Sequence, residues 1–144
     1  MIACCDTSFL YALYGNDAHS TTAVTMLASL SSRLTISGLN DFELTNALHH
    51  AAWRGLLTKN EVNSRLGEFA RSRNEGRIFV APCDFAAVTR QARELAVKWT
   101  PSQGNRAFDI LHVATALHLR ADLFLTFDAR QRSLAAAEGL RIEI

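Results

Sequence analysis

Four acidic residues lie far apart in this 144-residue chain at points where a fold can bring them together: Asp6, Glu43, Asp109 and Asp128. Asp6 directly follows the apolar run MIACC, and Asp128 directly follows LFLTF. Glu43 lies near the start of a predicted helix, DFELTNALHHAAWRG. Asp109 opens another helix, on a stripe that continues through Val113, Ala116 and Leu117 toward a buried face. A carboxylate carried toward an apolar interior is costly unless something compensates it. Four gathered carboxylates also repel one another and cannot all ionise near neutral pH without a counter-charge. A hard divalent cation meets both needs, since Mg²⁺ takes oxygen ligands, keeps several waters and often shares its coordination with a substrate phosphate. Each acid also has a plainer reading taken singly. An aspartate after a strand often caps the next helix, and an acid in a helix's first turn gains about 0.3–1 kcal/mol from the dipole.

The elements that must position these acids alternate between short apolar runs and helical patterns. MIACC, LTIS, IFVA, LFLTF and RIEI read as strands. SFLYALYG, HSTTAVTMLASLSSR, DFELTNALHHAAWRG and TKNEVNSRLGEFARSR read as helices, with Thr58 as an N-cap and a stop near Gly55. DFAAVTRQARELAVKW is a helix capped by Asp84, TPSQGN a loop, and ARQRSLAAAEG a helix ended by Gly139. Such alternation predicts one three-layer α/β/α domain over residues 1–144, around a mostly parallel sheet of four to five strands. In open α/β sheets functional groups gather beyond the carboxyl ends of the strands. Asp6 and Asp128 belong to that edge directly, and Glu43 and Asp109 reach it through helix amino ends.

Composition bounds the class of protein. Hydrophobic residues make up 49% and charged residues 20% of the chain, which is enough to build a core without disulfides or structural metal. Three cysteines, two of them adjacent, form no zinc spacing and read as reduced thiols of a cytoplasmic protein. Asp6 interrupts any signal-peptide core, and no apolar run is long enough to span a bilayer. The net charge of +1 gives no global case for nucleic acid. Setting four of the fourteen acids aside as ligands leaves ten against 15 basic residues, a balance compatible with a basic surface around an acidic hole.

DTSFL at 6–10, ELTNAL at 43–48, RAFDILHVATAL at 106–117 and LTFD at 125–128 resemble the four signature segments of PIN-domain ribonucleases. Within that superfamily the chain is most similar to the VapC-like toxins of toxin–antitoxin pairs, over essentially its whole length. The resemblance implies an endoribonuclease that uses one or two Mg²⁺ or Mn²⁺ ions and leaves 5′-phosphate and 3′-hydroxyl ends. It makes Asp6, Glu43, Asp109 and Asp128 the catalytic and metal-binding quartet. Glu43 either binds through water or orients the attacking water. Thr7, Ser8 and Thr126 fall at supporting hydroxyl positions, and Arg106 at a basic position before the third acid. The implied partners are RNA, a small antitoxin protein and a second copy of the chain.

Other residues carry weaker signals. Arg130 and Arg132 follow the fourth acid and are candidates for phosphate contact, whereas Arg71, Arg73 and Arg77 read as a solvated face. His112 reads as a hydrogen-bonded packing residue, and the adjacent His49 and His50 point to different helix sides, which rules against a zinc site. Trp53, Leu56, Leu57, Val62, Leu66 and Phe69 read as core, or, where exposed, as a surface for dimerisation or an antitoxin segment. Three other functions compete. An aspartate-nucleophile phosphatase expects an acid where Ser8 stands, a PIN-like module would bind without cutting, and an RNA-processing nuclease would act without an antitoxin.

Overall fold

The computed structural model describes residues 1–143; the last residue of the predicted strand RIEI lies outside the described residues. Five strands, β1 (Ala3–Cys5), β2 (Leu34–Ile36), β3 (Ile78–Val80), β4 (Leu123–Leu125) and β5 (Arg141–Glu143), form one sheet in the order β3-β2-β1-β4-β5. Every neighbouring pair is parallel, at the upper end of the expected strand count. Three-residue strands suffice because β1, β2 and β4 are buried throughout.

The period of two divides those strands between two cores. Ala3, Cys5, Leu34, Ile36, Leu123 and Leu125 pack with α1 (Thr7–Tyr14), α2 (Ser20–Ser29), α3 (Gly38–Trp53) and α4 (Lys59–Asn74) through Leu10, Ala23, Leu44 and Phe69. Cys4 and Phe124 pack on the other face with α5 (Phe85–Gln103), α6 (Ala107–His118) and α7 (Ala129–Ala137) through Val88, Val113 and Leu134. The chain runs outward from β1 to β3, then returns to build β4 and β5 on the other side of β1. The strand order therefore reverses between β1 and β4, the usual place for a ligand crevice in an open α/β sheet.

Four expectations change. The predicted loop TPSQGN is helical as far as Gln103: Pro101 forfeits only its own amide bond, and Gly104, at φ 62°, supplies the left-handed residue that ends the helix. The second helix stops at Ser29 rather than Arg33, because Leu30 turns extended. The third starts three residues earlier than its apolar pattern indicates, because Ser37 and Asn40 form a capping box, so Glu43 sits in the second turn. Of the six apolar residues read as core, Val62 and Phe69 are buried and Leu57 and Leu66 partly so. Trp53 and Leu56 are 81% and 63% exposed, since they close α3 and enter the turn to α4 on the solvent side. Among the described residues no helix is long and apolar enough to cross a membrane.

Candidate active site

Asp6 leaves β1 as the N-cap of α1 and is 1% exposed. Its Oδ1 accepts from Ser8 Oγ at 2.7 Å and from the Phe9 amide at 3.1 Å. Its Oδ2 accepts from Thr126 Oγ1 at 2.9 Å and from Gln131 Nε2 at 2.7 Å. Burial pushes this carboxyl above its ordinary pKa, against the pull of the Ser8, Phe9 and Thr126 donors. Because β1 and β4 are neighbours in register, Thr126 comes from the end of the adjacent strand. Its Oγ1 also accepts from the Asp128 amide at 3.0 Å, and Ser8 Oγ accepts from the Phe127 amide at 3.1 Å. Two hydroxyls thus lock the ends of both strands together.

Asp128 caps α7, its Oδ1 accepting from the amides of Arg130 and Gln131 at 2.9 and 3.0 Å. Asp109 is the third residue of α6, where Gln131 Nε2 reaches its Oδ1 at 3.1 Å. Arg106 Nε lies 3.6 Å from Asp109 Oδ2, an oxygen that is buried without a hydrogen-bond partner. Burial first, then the negative charge of Asp128, raises the Asp109 carboxyl, with Arg106 acting against them.

Glu43 enters from α3 and is held differently. His112, 3% exposed on α6, lies with Nε2 2.8 Å from Glu43 Oε1 and 3.3 Å from Thr7 Oγ1. The imidazole orientation is set behind it by Asn40. The Asn40 Oδ1 accepts from the Ser37 amide and hydroxyl at 3.0 and 3.2 Å, which turns Nδ2 toward the Cys5 carbonyl at 3.0 Å and His112 Nδ1 at 3.4 Å. With Nδ1 accepting, Nε2 carries the proton and donates to Glu43. Burial pushes Glu43 up, but the hydrogen bonds from His112 and Thr7 outweigh it and leave the carboxyl below its ordinary pKa.

The Gln131 side-chain amide therefore bridges Asp6 and Asp109, its backbone amide is held by Asp128, and Glu43 is held by His112. A model of the PIN domain matches residues 3–137 of the chain. The chain belongs to the PIN domain family. Solved structures agree on the fold. A chain of VapBC2 from Rickettsia felis, bound to a DNA fragment from its promoter, superposes with a TM-score of 0.68 at 19% identity, over 99% of this chain and 98% of that one. VapC20 of Mycobacterium tuberculosis, a toxin that cleaves the sarcin–ricin loop, gives 0.67 at 19% identity, over 96% and 95%. FitAcB from Neisseria gonorrhoeae gives 0.60 at 20%, over 99% and 97%. No curated protein matches the chain in sequence.

The donors this PIN domain offers a cation are all oxygens, the hard set that Mg²⁺ and Mn²⁺ favour. The partnerless Asp109 Oδ2, and the burial and repulsion from Asp128 that together raise Asp109, fit a site that takes positive charge. Among the described residues no three His, Cys, Asp or Glu side chains are arranged to hold an ion; the Gln131 amide lies between Asp6 and Asp109. Arg106 and Arg130 are exposed, whereas Arg132 is half-buried with a partnerless Nε. Arg71, Arg73 and Arg77 are exposed as expected, with Arg73 pairing to Asp41 at 3.1 Å. Gln131 and Asn40 were not legible as site residues. Gln131 lies three residues after a capping aspartate, one helical turn on, which is the signal that points to it.

Proposed function

We propose that this PIN domain is a divalent-metal-dependent endoribonuclease and the toxin of a toxin–antitoxin pair. The observation that carries the reading is the convergence of Asp6, Asp109 and Asp128 at the β1–β4 reversal, with Glu43 held beside them by His112. Asp6, Asp109 and Asp128 would hold Mg²⁺ or Mn²⁺, as one or two ions, with Glu43 in contact directly or through water. Such an ion, when bound, supplies a Lewis acid for the phosphate and a water of lowered pKa. Glu43, kept ionised by His112 and Thr7, presents a fixed acceptor to orient a water. Arg106 stands exposed at the mouth of the site beside Asp109, where it would meet a phosphate. Arg130, exposed at the start of α7, would meet a second phosphate, with Arg132 behind it.

A groove of about 680 Å³ beside Glu43, lined by Tyr11, Asn16, His50, Arg54 and Leu57, supports the antitoxin as partner. Trp53 and Leu56 flank it with exposed apolar surface, and a segment of a small protein lying there would reach the acids. The exposed Phe42 and Phe85, beside an apolar hollow of about 620 Å³, support a homodimer.

The test is cleavage of end-labelled cellular RNA with Mg²⁺ or Mn²⁺, beside EDTA and an Asp6→Asn/Asp109→Asn control. Metal-dependent cutting that is lost in the control supports the nuclease. Folded, antitoxin-free protein that binds RNA without cutting it in either metal favours the binding-module reading instead. Cutting by a chain whose gene has no antitoxin neighbour favours an RNA-processing nuclease.

A further inference from the structure

The Asp6 carboxylate is saturated. An ionised carboxylate offers about four lone-pair sites, and Ser8, Phe9, Thr126 and Gln131 occupy four. A cation can reach Asp6 only by displacing one of these donors. Three of them are fixed by second bonds or by the backbone. The Phe9 amide belongs to α1, Ser8 Oγ is tied to the Phe127 amide, and Thr126 Oγ1 is tied to the Asp128 amide. The fourth is the tip of a long side chain, Gln131 Nε2, which lies between Asp6 Oδ2 and Asp109 Oδ1. Gln131 is 4% exposed, and its amide oxygen Oε1 is buried with no hydrogen-bond partner. A buried carbonyl oxygen without a donor is uncommon in a native fold and calls for an explanation.

We propose that Gln131 is a fifth member of this centre, an exchangeable ligand. Its amide nitrogen clasps Asp6 to Asp109, and its amide oxygen turns to a divalent cation that binds between those two carboxylates. The inference rests on the metal-dependent reading above. Cation and amide hydrogens compete for the same two oxygens, so the hydrogens must leave. Rotation about the terminal Cγ–Cδ bond exchanges Nε2 for Oε1 without moving the rest of the residue, and that torsion is broad and nearly two-fold in energy. The oxygen delivered is neutral and hard, which suits Mg²⁺ and adds no charge to carboxylates that already repel one another. The Gln131 backbone amide is held by Asp128 Oδ1, so the turn that presents the fourth acid also presents the amide.

The readout is metal binding rather than turnover. Mn²⁺ affinity is measured by calorimetry for the wild type, Gln131→Leu, Gln131→Glu and Asp109→Asn. Gln131→Leu is expected to weaken Mn²⁺ binding by about tenfold, the scale on which residues around a metal site act. Gln131→Glu, which keeps an oxygen and drops the donor, is expected to bind at least as tightly as the wild type. In the wild type, the Gln131 side-chain NH₂ resonances in EDTA are expected to be shifted and slow to exchange, and to move on saturation with Mg²⁺ as the amide hydrogens leave the two carboxylates. That measurement needs no variant to fold. Unchanged or tighter Mn²⁺ binding by Gln131→Leu, or NH₂ resonances unmoved at Mg²⁺ saturation, overturns the ligand role. Absence of Mn²⁺ binding by the wild type, or full binding by Asp109→Asn, instead removes the metal reading beneath it, and the inference with it.

Discussion

Removing the Asn40 side chain should destabilise the protein well beyond the loss of a helix cap. Asn40 is 2% exposed, and its amide makes four contacts. Two of them, to the Ser37 amide and hydroxyl, belong to the cap of α3, and losing such a cap costs about 1 kcal/mol. The other two satisfy the buried Cys5 carbonyl at the end of β1 and His112 Nδ1. A buried polar group left without a partner costs about 1–3 kcal/mol, and the weaker 3.4 Å contact to His112 adds less than the 3.0 Å bond to Cys5. Asn40→Ala is therefore expected to cost about 3 kcal/mol, which lowers the thermal midpoint by about 6–12 °C in a domain of this size. Ser37→Ala is the control: it removes the Oγ that accepts from the Leu39 amide at 3.2 Å, leaves Asn40 in place, and should cost about 1 kcal/mol. The assay is chemical denaturation followed by circular dichroism, with unchanged m-values confirming that the same surface unfolds. If Asn40→Ala is no worse than Ser37→Ala, the bonds to Cys5 and His112 contribute nothing, and the positioning of Glu43 through His112 must be reconsidered.

Asp109→Asn should abolish metal-dependent cutting while raising the thermal midpoint by a few degrees at pH 7. The folded-state pKa of Asp109 is raised, so the wild type loses stability as pH climbs from the unfolded value, about 4, through the folded one; the gain should disappear below about pH 4. A variant less stable than the wild type at pH 7 would contradict the repulsion from Asp128. His112→Leu should do the opposite to Glu43. The lowered carboxyl contributes stability above its unfolded pKa that is lost as pH falls through the folded value, so the gap between wild type and variant should narrow below about pH 4. A gap that is constant from pH 7 to pH 3 in urea melts would refute that coupling. Trp53→Lys should leave cleavage intact and weaken antitoxin binding at least tenfold by calorimetry; equal affinity would remove this face from the interface. Burial raises all three thiols, Cys4 to about 12, so iodoacetamide at pH 7 should label Cys83 slowly and leave Cys4 and Cys5 untouched until the chain unfolds.

The division between what the sequence discloses and what it conceals follows the range of each signal. Strands were legible because β1 and β4 are short apolar runs bounded by an acid, and the parallel order followed from their alternation with helices. Helix ends were less so. At Pro101 a single lost amide bond did not stop α5, and at Gly38 a polar cap began α3 ahead of its apolar stripe. The exposure of Trp53 depends on where α3 stops relative to its neighbours, which periodicity alone does not fix. Within the site, the acids were visible because four of them fall together at strand and helix ends on one edge of the sheet, whereas Gln131 and Asn40 are neutral and their side-chain amide nitrogens act on partners distant in the chain.

The plain and the chemical readings of Asp6 and Asp128 also turn out to be compatible. Each is a true N-cap, with one carboxylate oxygen committed to the amides of the helix it begins. A carboxylate has a second oxygen, and capping fixes its direction: Asp6 Oδ2 points to Thr126 and Gln131 at the strand reversal, away from α1. Capping is thus the means by which Asp6 is aimed at the strand reversal without a flexible side chain. Ordering that side chain at the moment a ligand arrives would carry an entropic penalty that the helix end has already absorbed in folding. The same economy accounts for Glu43, the one acid of the four outside a cap or a first turn, which requires Thr7, His112 and Asn40 to hold it.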